Sequence, residues 1–462
     1  MISLTLGEVA RIVDGRPSDL DPTRSATGKV EFDSRKVGPG DLFLAFAGEH
    51  VDGHDYAQAA LDAGAVAVLA TRELPGLPVI LIDDPLAAIT ALARESGAKL
   101  SATVIGVTGS SGKTSTKDLL AQLLEPLGPT VAPPESFNNE LGFPYTVLLA
   151  DEKTEYLVLE VSARGVGHIA FLTGILAPSI GVVLNVGTAH LGEFGSVEAI
   201  AQAKGELVEA LGADDVAILN ADDPRVAAMA ARTDARLIRF GESAGADVRA
   251  EDVRIEATGR ASFILSHQGE SAPVQLQVLG GHQVSNALAA AAALLNLGSD
   301  VAAVATRLSQ ATPRSHWRME VTEVAGVTVV NDAYNANPDS VRAALKSLAI
   351  MSAGRRSVAV LGTMNELGDD SLTEHDAIGR LAVRLDVNAL IAVGQSARAI
   401  ANGASLEGSW NGEAEWVGDN PAAIARLIEL VETGDVVLVK GSRSTEMQQI
   451  AQALISDLAA RA

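Results

Sequence analysis

The chain has 462 residues, of which 47% are hydrophobic, enough for about three domains with separate cores. A formal net charge of −23 excludes the broad basic surface that a nucleic-acid backbone or an anionic membrane requires, while leaving room for small anionic ligands held by a few local cations. There is no cysteine, so disulfides and thiolate metal sites are ruled out, in keeping with a reducing compartment.

The opening segment, MISLTLGEVARIVDGR, lacks the basic flank and apolar core of a signal peptide. The longest apolar run, residues 287–295, falls far short of the roughly 20 residues of a spanning helix. A soluble cytoplasmic protein is expected. Short β-rich segments alternate with helical ones, which predicts an α/β architecture with mainly parallel sheets. Residues 1–99 form a first unit that closes on an alanine-rich helix from Leu86. Strand TVIGV then opens a second unit, residues 100–312, in which LVLEVS (157–162) and IGVVLNV (180–186) read as buried central strands. Between Asp247 and Leu279 the pattern changes to alternation, as in VRIEA, ASFILSH and VQLQV, which predicts an antiparallel patch at the edge of the same domain. A third unit, residues 313–462, has strands VTVVND, SVAVLG, ALIAVG and DVVLVKG. Two of its helices start at Asn337-Pro338 and Asn420-Pro421, read as an N-cap followed by proline in the first turn.

The segment TVIGVTGSSGKTSTKDLLAQLL, residues 103–124, nearly matches the phosphate-loop signature G-x-x-x-x-G-K-[ST]. Val107 stands at the first glycine of that signature, and the other glycines fall at Gly106 and Gly109. Strand, glycine turn and helix still follow in order, and Leu119, Leu120, Leu123 and Leu124 give the helix an apolar face. Such a turn aims backbone N–H groups and a helix N-terminus at phosphate. Residues Thr108, Gly109, Ser110, Ser111, Gly112, Lys113, Thr114 and Ser115 are the candidate ATP site, with Lys113 reaching the terminal phosphates and the Thr114 hydroxyl available to Mg²⁺. The plainer alternative is an ordinary glycine-rich turn.

Glu160 ends one apolar strand and His190 follows the next, at the sheet edge where open α/β folds bind ligands. Lys204 lies in line with Val197, Ala201, Val208 and Leu211 at helical spacing, hence on an apolar face. Two readings stay open: a snorkelling lysine, or a buried one whose lowered pKa leaves a neutral amine able to take up CO₂ as a carbamate. In NDAYNANPDS (331–340) the Asn337 cap accounts for part of the pattern, and Asp332 and Tyr334 suggest a ligand-facing loop. LVKGSRSTEM (438–447) has the same form, opening onto Lys440, Ser442 and Arg443.

Together with FDSRKVGPGDLFLAFAGEHVDGHDY, FNNELGFP, LEVSARGVGHI, NVGTAHLGEFGS, AKGE, GHQVSNALAA, WRME and MNELG, these segments resemble the Mur ligases, the ATP-dependent amide-forming enzymes of peptidoglycan synthesis. The family's loop is similar in relying on T-G-x-x-G-K-T. The resemblance implies three domains: a small N-terminal UDP-binding α/β domain, a central P-loop ATPase-like parallel sheet with an antiparallel edge, and a C-terminal Rossmann-like domain. It further implies a monomer acting on UDP-N-acetylmuramoyl-tripeptide and D-alanyl-D-alanine with ATP and Mg²⁺. By the same resemblance Lys113, Glu160, His190 and Lys204 are catalytic, and Thr114, Glu160, His190 and Lys204, the last as a carbamate, hold metal. Asn286, Arg318 and Asp332 contact the nucleotide. Ser34 and Arg35 lie near the UDP end, and Asn138, Asn139, Ser162, Arg164, Tyr334, Asn335 and Asn337 are substrate contacts. Asn331 and Thr363 stand where an acidic residue is common in that family, and Trp317 where a small one is. Rival readings are another ligase of the superfamily, such as a folylpolyglutamate synthase, and a P-loop ATPase with no acceptor; neither accounts for the FDSR domain together with NDAYNANPDS and KGSR.

Overall fold

The computed structural model describes residues 1–48, 51–188, 191–408 and 410–461. In the first part of the chain, strands β1 (Arg16–Ser18), β2 (Val30–Glu31), β3 (Leu42–Leu44), β4 (Ala67–Ala70) and β5 (Val79–Leu81) form a five-stranded sheet in the order β1-β5-β4-β3-β2. Helix α1 (Pro85–Gly97), capped by the Asp84 carboxylate, completes it.

The central sheet is built on β6 (Thr103–Thr108), β7 (Thr130–Val131), β8 (Tyr156–Glu160), β9 (Ile180–Val183), β10 (Val216–Asn220) and β11 (Arg236–Gly241), all parallel, with β6, β8, β9 and β10 mostly apolar and buried. Buried on both faces by crossover helices, such strands carry continuous hydrophobic runs. Its order, β14-β13-β12-β11-β10-β9-β6-β8-β7, ends in three further strands, β12 (Val248–Ile255), β13 (Arg260–His267) and β14 (Glu270–Leu279). These pair antiparallel with one another, as the alternation between Asp247 and Leu279 predicts. Strand β6 has β9 on one side and β8 on the other, so the winding direction reverses there, and its carboxyl end is the switch point at which doubly wound folds bind ligands. Helix α2 (Lys113–Leu124) leaves that end with Leu119, Leu120, Leu123 and Leu124 all buried. It packs beside α3 (Gln283–Asn296), whose alanine run lets the two helices approach closely.

The last part of the chain forms a six-stranded sheet from β15 (Glu320–Val324), β16 (Val327–Asn331), β17 (Ser357–Gly362), β18 (Ala389–Val393), β19 (Glu413–Val417) and β20 (Val436–Lys440), in the order β15-β16-β20-β17-β18-β19. Four of these strands match the sequence expectation. The two edge strands, EVTEV and EAEWV, escape it because they are half exposed and carry acidic residues, as sheet edges commonly do. Helix α4 (Pro338–Met351) is capped by Asn337 as expected, but α5 (Asn420–Leu430) is capped by the Asp419 carboxylate. Asn420 is inside that helix and donates instead to the carbonyl of Thr445 at 2.9 Å.

One apolar cluster runs without a break from Leu4 and Leu92 of the first unit to Phe143, Leu159 and Leu207 of the central one. Tyr145 adds a hydrogen bond to Glu31 across this junction (3.3 Å), within a cluster that also holds Phe32 and Phe137. The C-terminal sheet has separate clusters on its two faces. Its connection to the central unit includes Leu279 of the central sheet, which joins one of these clusters, and a set of polar contacts. Gln122 of α2 exchanges two hydrogen bonds with the backbone of Thr312, Asp118 accepts from the Ser315 N–H, and Arg314 forks onto Glu125.

Within that C-terminal unit, helices α6 (Ser371–Arg384) and α7 (Arg398–Glu407) cross at Gly379 and Gly403. A Cβ at Gly379 would overlap the carbonyl of Ile400. Gly379→Ala is therefore expected to lower stability by about 3 kcal/mol, in the range of overpacked cores. The check is a shift of the urea midpoint of the C-terminal unit to lower concentration; an unchanged midpoint would mean that the helices can move apart freely.

Candidate active site

The turn from β6 to α2 places Gly112 in the left-handed region, at φ 83°. A side chain there would also run into the Asn286 carboxamide of α3, so glycine is required twice over. The loop is stitched to the segment after β9: Ser110 N–H donates to the Asn185 carbonyl (3.1 Å), Ser111 N–H to the Asn185 side chain (3.0 Å), and Gly187 N–H to the Ser110 hydroxyl (2.9 Å). The Lys113 ammonium folds back over the loop to the Gly109 carbonyl at 2.7 Å.

From Thr114 a chain of polar contacts runs to the end of β8. The Thr114 hydroxyl meets that of Ser136 (3.3 Å), which donates to Glu160 Oε2 (3.1 Å). Asn138 supports both, donating to Ser136 Oγ and Glu160 Oε2. Glu160 is fully buried, and its other oxygen, Oε1, has no hydrogen-bond partner among the described residues. Such an oxygen is strongly stabilised by a cation. The C-terminal unit closes this group: Arg318 Nη2 donates to Thr114 Oγ1 at 2.7 Å. Burial pushes the Lys113 ammonium below the ordinary lysine value; Glu160 opposes that shift and Arg318 adds to it.

Lys204 lies on the helix spanning Val197–Glu209 and is buried, so the snorkelling reading is set aside. Burial first, and then the neighbouring Lys113 charge, push its pKa well below the lysine value, which favours the neutral amine. His190 lies outside the described residues. Around Glu160 and Lys204, no group of three or more acidic or histidine side chains placed to hold a metal occurs among the described residues.

Other candidates have partners that the sequence did not disclose. Asn139 accepts from the N–H groups of Leu141 and Gly142, and Ser162 donates to the Asn138 carbonyl at 2.8 Å. The Arg164 N–H donates to His168 Nδ1. Asp332 pairs with buried Lys440 at 2.6 Å and accepts from the Met319 N–H. Lys440 also binds the Asn335 carbonyl. Tyr334 lies under two guanidiniums, with Arg318 at 4.0 Å and Arg443 at 4.8 Å from the ring centre. Ser34 and Arg35 stand apart in the first unit, where Arg35 forks onto Asp33 and holds that carboxyl at about 2. A cavity of about 390 Å³ opens beside α2, with Lys117, Asp118, Trp317, Arg318 and Tyr334 in its wall. Ser136 and Asn185 had no signal of their own in the sequence. Asn185 lies within a segment that did and Ser136 immediately precedes one, but neither is a residue type that marks a nucleotide site.

A doubly wound sheet with a phosphate loop at its switch point, joined to a domain that reaches back to that loop, defines an ATP-dependent ligase of the Mur type, and the chain belongs to the Mur ligase family. The model of the Mur ligase middle domain matches residues 107–294, that of the Mur ligase glutamate ligase domain residues 317–443, and that of the Mur ligase family catalytic domain residues 28–96. The chain is similar to the UDP-N-acetylmuramoyl-tripeptide–D-alanyl-D-alanine ligase of Mycobacterium tuberculosis (strain ATCC 25618 / H37Rv), at 50% identity over 99% of this chain and 98% of that protein. Among solved structures, MurF from Acinetobacter baumannii superposes with a TM-score of 0.86 at 32% identity, covering 98% of this chain and 99% of that one. The MurF ligase of Thermotoga maritima in complex with ADP superposes at 0.80 and 30% identity, covering 95% and 99%.

Proposed function

We propose that the chain joins D-alanyl-D-alanine to UDP-N-acetylmuramoyl-tripeptide at the expense of ATP, in peptidoglycan precursor synthesis. The full-length likeness to ligases of that name supports the substrates. The observation that carries the chemistry is the closed group of Lys113, Thr114, Glu160 and Lys204, capped by Arg318 from another domain. On this reading residues 1–99 hold the UDP end near Ser34 and Arg35, residues 100–312 bind ATP, and residues 313–462 close over it. The reading is of a cytoplasmic, monomeric enzyme acting on small molecules; no helix among the described residues is long and apolar enough to cross a membrane.

A peptide carboxylate is a poor electrophile. It attacks the γ-phosphorus of ATP, ADP leaves, and an acyl phosphate forms. The amine of D-alanyl-D-alanine then attacks the acyl carbon, phosphate leaves, and the amine proton passes to solvent or to a nearby base. The first step brings like charges together, so Lys113 and Arg318 supply the positive charge, in a site where exclusion of water strengthens it. Mg²⁺, held by Thr114, Glu160 and Lys204 as a carbamate, with His190 nearby in the sequence, would add the remaining neutralisation. Closure of the C-terminal domain keeps water from the acyl phosphate.

Phosphate release is expected to require ATP, Mg²⁺, UDP-N-acetylmuramoyl-tripeptide and D-alanyl-D-alanine together. A coupled phosphate assay omitting one component at a time checks this. Steady ATP turnover without the peptide would replace the ligase reading with that of a plain ATPase.

A further inference from the structure

Asp339, in the first turn of α4, reaches from the C-terminal domain onto the segment that follows β9 in the central one. Its Oδ2 accepts from both the backbone N–H (3.0 Å) and the hydroxyl (3.3 Å) of Thr188, while Oδ1 accepts from Arg342, which also pairs with Glu374. The same segment carries Asn185 and Gly187, whose bonds to Ser110 and Ser111 hold the phosphate loop. The lid is thereby connected to the loop through four consecutive residues.

The glycines of this segment suit that contact. Gly187 does not have the positive φ that would demand glycine on conformational grounds, yet a Cβ on it would fall well inside contact distance of Asp339 Oδ2. Its other near neighbour, Ser110 Cβ, would stand at an ordinary 3.4 Å. A side chain at 187 is therefore opposed by the docked Asp339 carboxylate, which would have to leave its place on Thr188, and not by the local fold. A second grip lies further along, where the Gly192 N–H donates to the Glu366 carbonyl (3.1 Å) and a Cβ on Gly192 would meet the backbone nitrogen of Gly368 at 2.5 Å.

We propose that Asp339 is a positioning residue of the ligase: it docks the C-terminal domain on residues 185–188 and so sets the phosphate loop in its working geometry only when the lid is closed. Its partners are Thr188 and Arg342. Its effect runs through Thr188 and Gly187 to Ser110 and Ser111. The inference rests on the ligase reading for its kinetics, but not for its structural readout.

The test compares Gly187→Ala, Asp339→Ala and the double variant by turnover and by small-angle scattering with a non-hydrolysable ATP analogue and Mg²⁺. Asp339→Ala is expected to lower kcat about tenfold with KM for ATP little changed, in the range of coupled neighbours. Gly187→Ala, with the carboxylate still in the way of its methyl, is expected to lose about a further tenfold and to stay expanded on adding the analogue. In the double variant the obstacle is gone, so turnover should return to the level of Asp339→Ala and compaction should recover. A double variant that falls by the product of the two single losses overturns the latch, as does a Gly187→Ala protein that compacts and turns over like the parent. Failure of the parent to release phosphate with its four components would instead refute the ligase reading, and the scattering comparison would still decide the latch.

Discussion

Lys204→Ala is expected to keep no more than about one-thousandth of parental turnover, on the scale of losing a group that stabilises transition-state charge. Acetate at constant ionic strength should restore part of the loss. The reasoning starts from burial. A buried lysine beside Lys113 is held well below its usual pKa, which favours the neutral amine with its free lone pair. That amine can add to the carbon of CO₂, forming the N–C bond and releasing one proton, and the product is an anionic oxygen donor beside Lys113 of the phosphate loop. Truncation to alanine removes the donor and leaves space that a small carboxylate can enter. Lys204→Arg fills the same space with a permanent charge, and acetate should not help it. Normal turnover of Lys204→Ala without any additive would show that the lysine serves packing alone.

The second large effect is expected at Lys113. Replacing it with methionine keeps most of the stem and removes the charge. Turnover should fall by about a thousandfold. Stability should not fall with it. Burial lowers the pKa of Lys113 in the folded chain, so the unfolded state binds its proton more tightly and the charged form disfavours folding. That penalty is present at neutral pH and is relieved as pH rises from the lowered folded value to the ordinary lysine value of the unfolded chain, so Lys113→Met should show an equal or higher Tm at pH 7 and a smaller gain at high pH. Calorimetry and the phosphate assay on one preparation separate the two effects. A variant that is both active and less stable would make the loop a structural turn.

Much of this architecture is legible in the sequence because it rests on local patterns. The apolar runs of β6, β8 and β9, the alternation of β12 to β14, and the placing of Lys204 on the buried stripe of its helix each follow from periodicity within a dozen residues. What escapes is set by tertiary partners. Arg318 meets Thr114 across 204 residues of chain, and Thr188 meets Asp339 across 151. No local pattern encodes either pair. Asn138 illustrates the same limit: the family resemblance offered it as a substrate contact, and the partners of its amide, Ser136 and Glu160, are set by tertiary structure. The cap of α5 was misplaced by one position because proline is tolerated at the first and second places of a helix alike, so Asp-Asn-Pro admits two starts.

The pinning of Thr312, Arg314 and Ser315 to helix α2 has a consequence for how such an enzyme can change over time. The helix that begins with Lys113 and Thr114 also anchors the hinge of the lid through Gln122, Asp118 and Glu125. The first domain takes no part in that hinge. It joins the central one through a continuous apolar contact and the Tyr145–Glu31 bond. The helix of the phosphate loop and the lid's attachment thus form one unit, to which the first domain is joined as a separable piece. If residues 1–99 hold the UDP end as proposed, substitutions around Ser34 and Arg35 alter which precursor is gripped without retuning the hinge, so substrate range and catalytic cycle can drift independently.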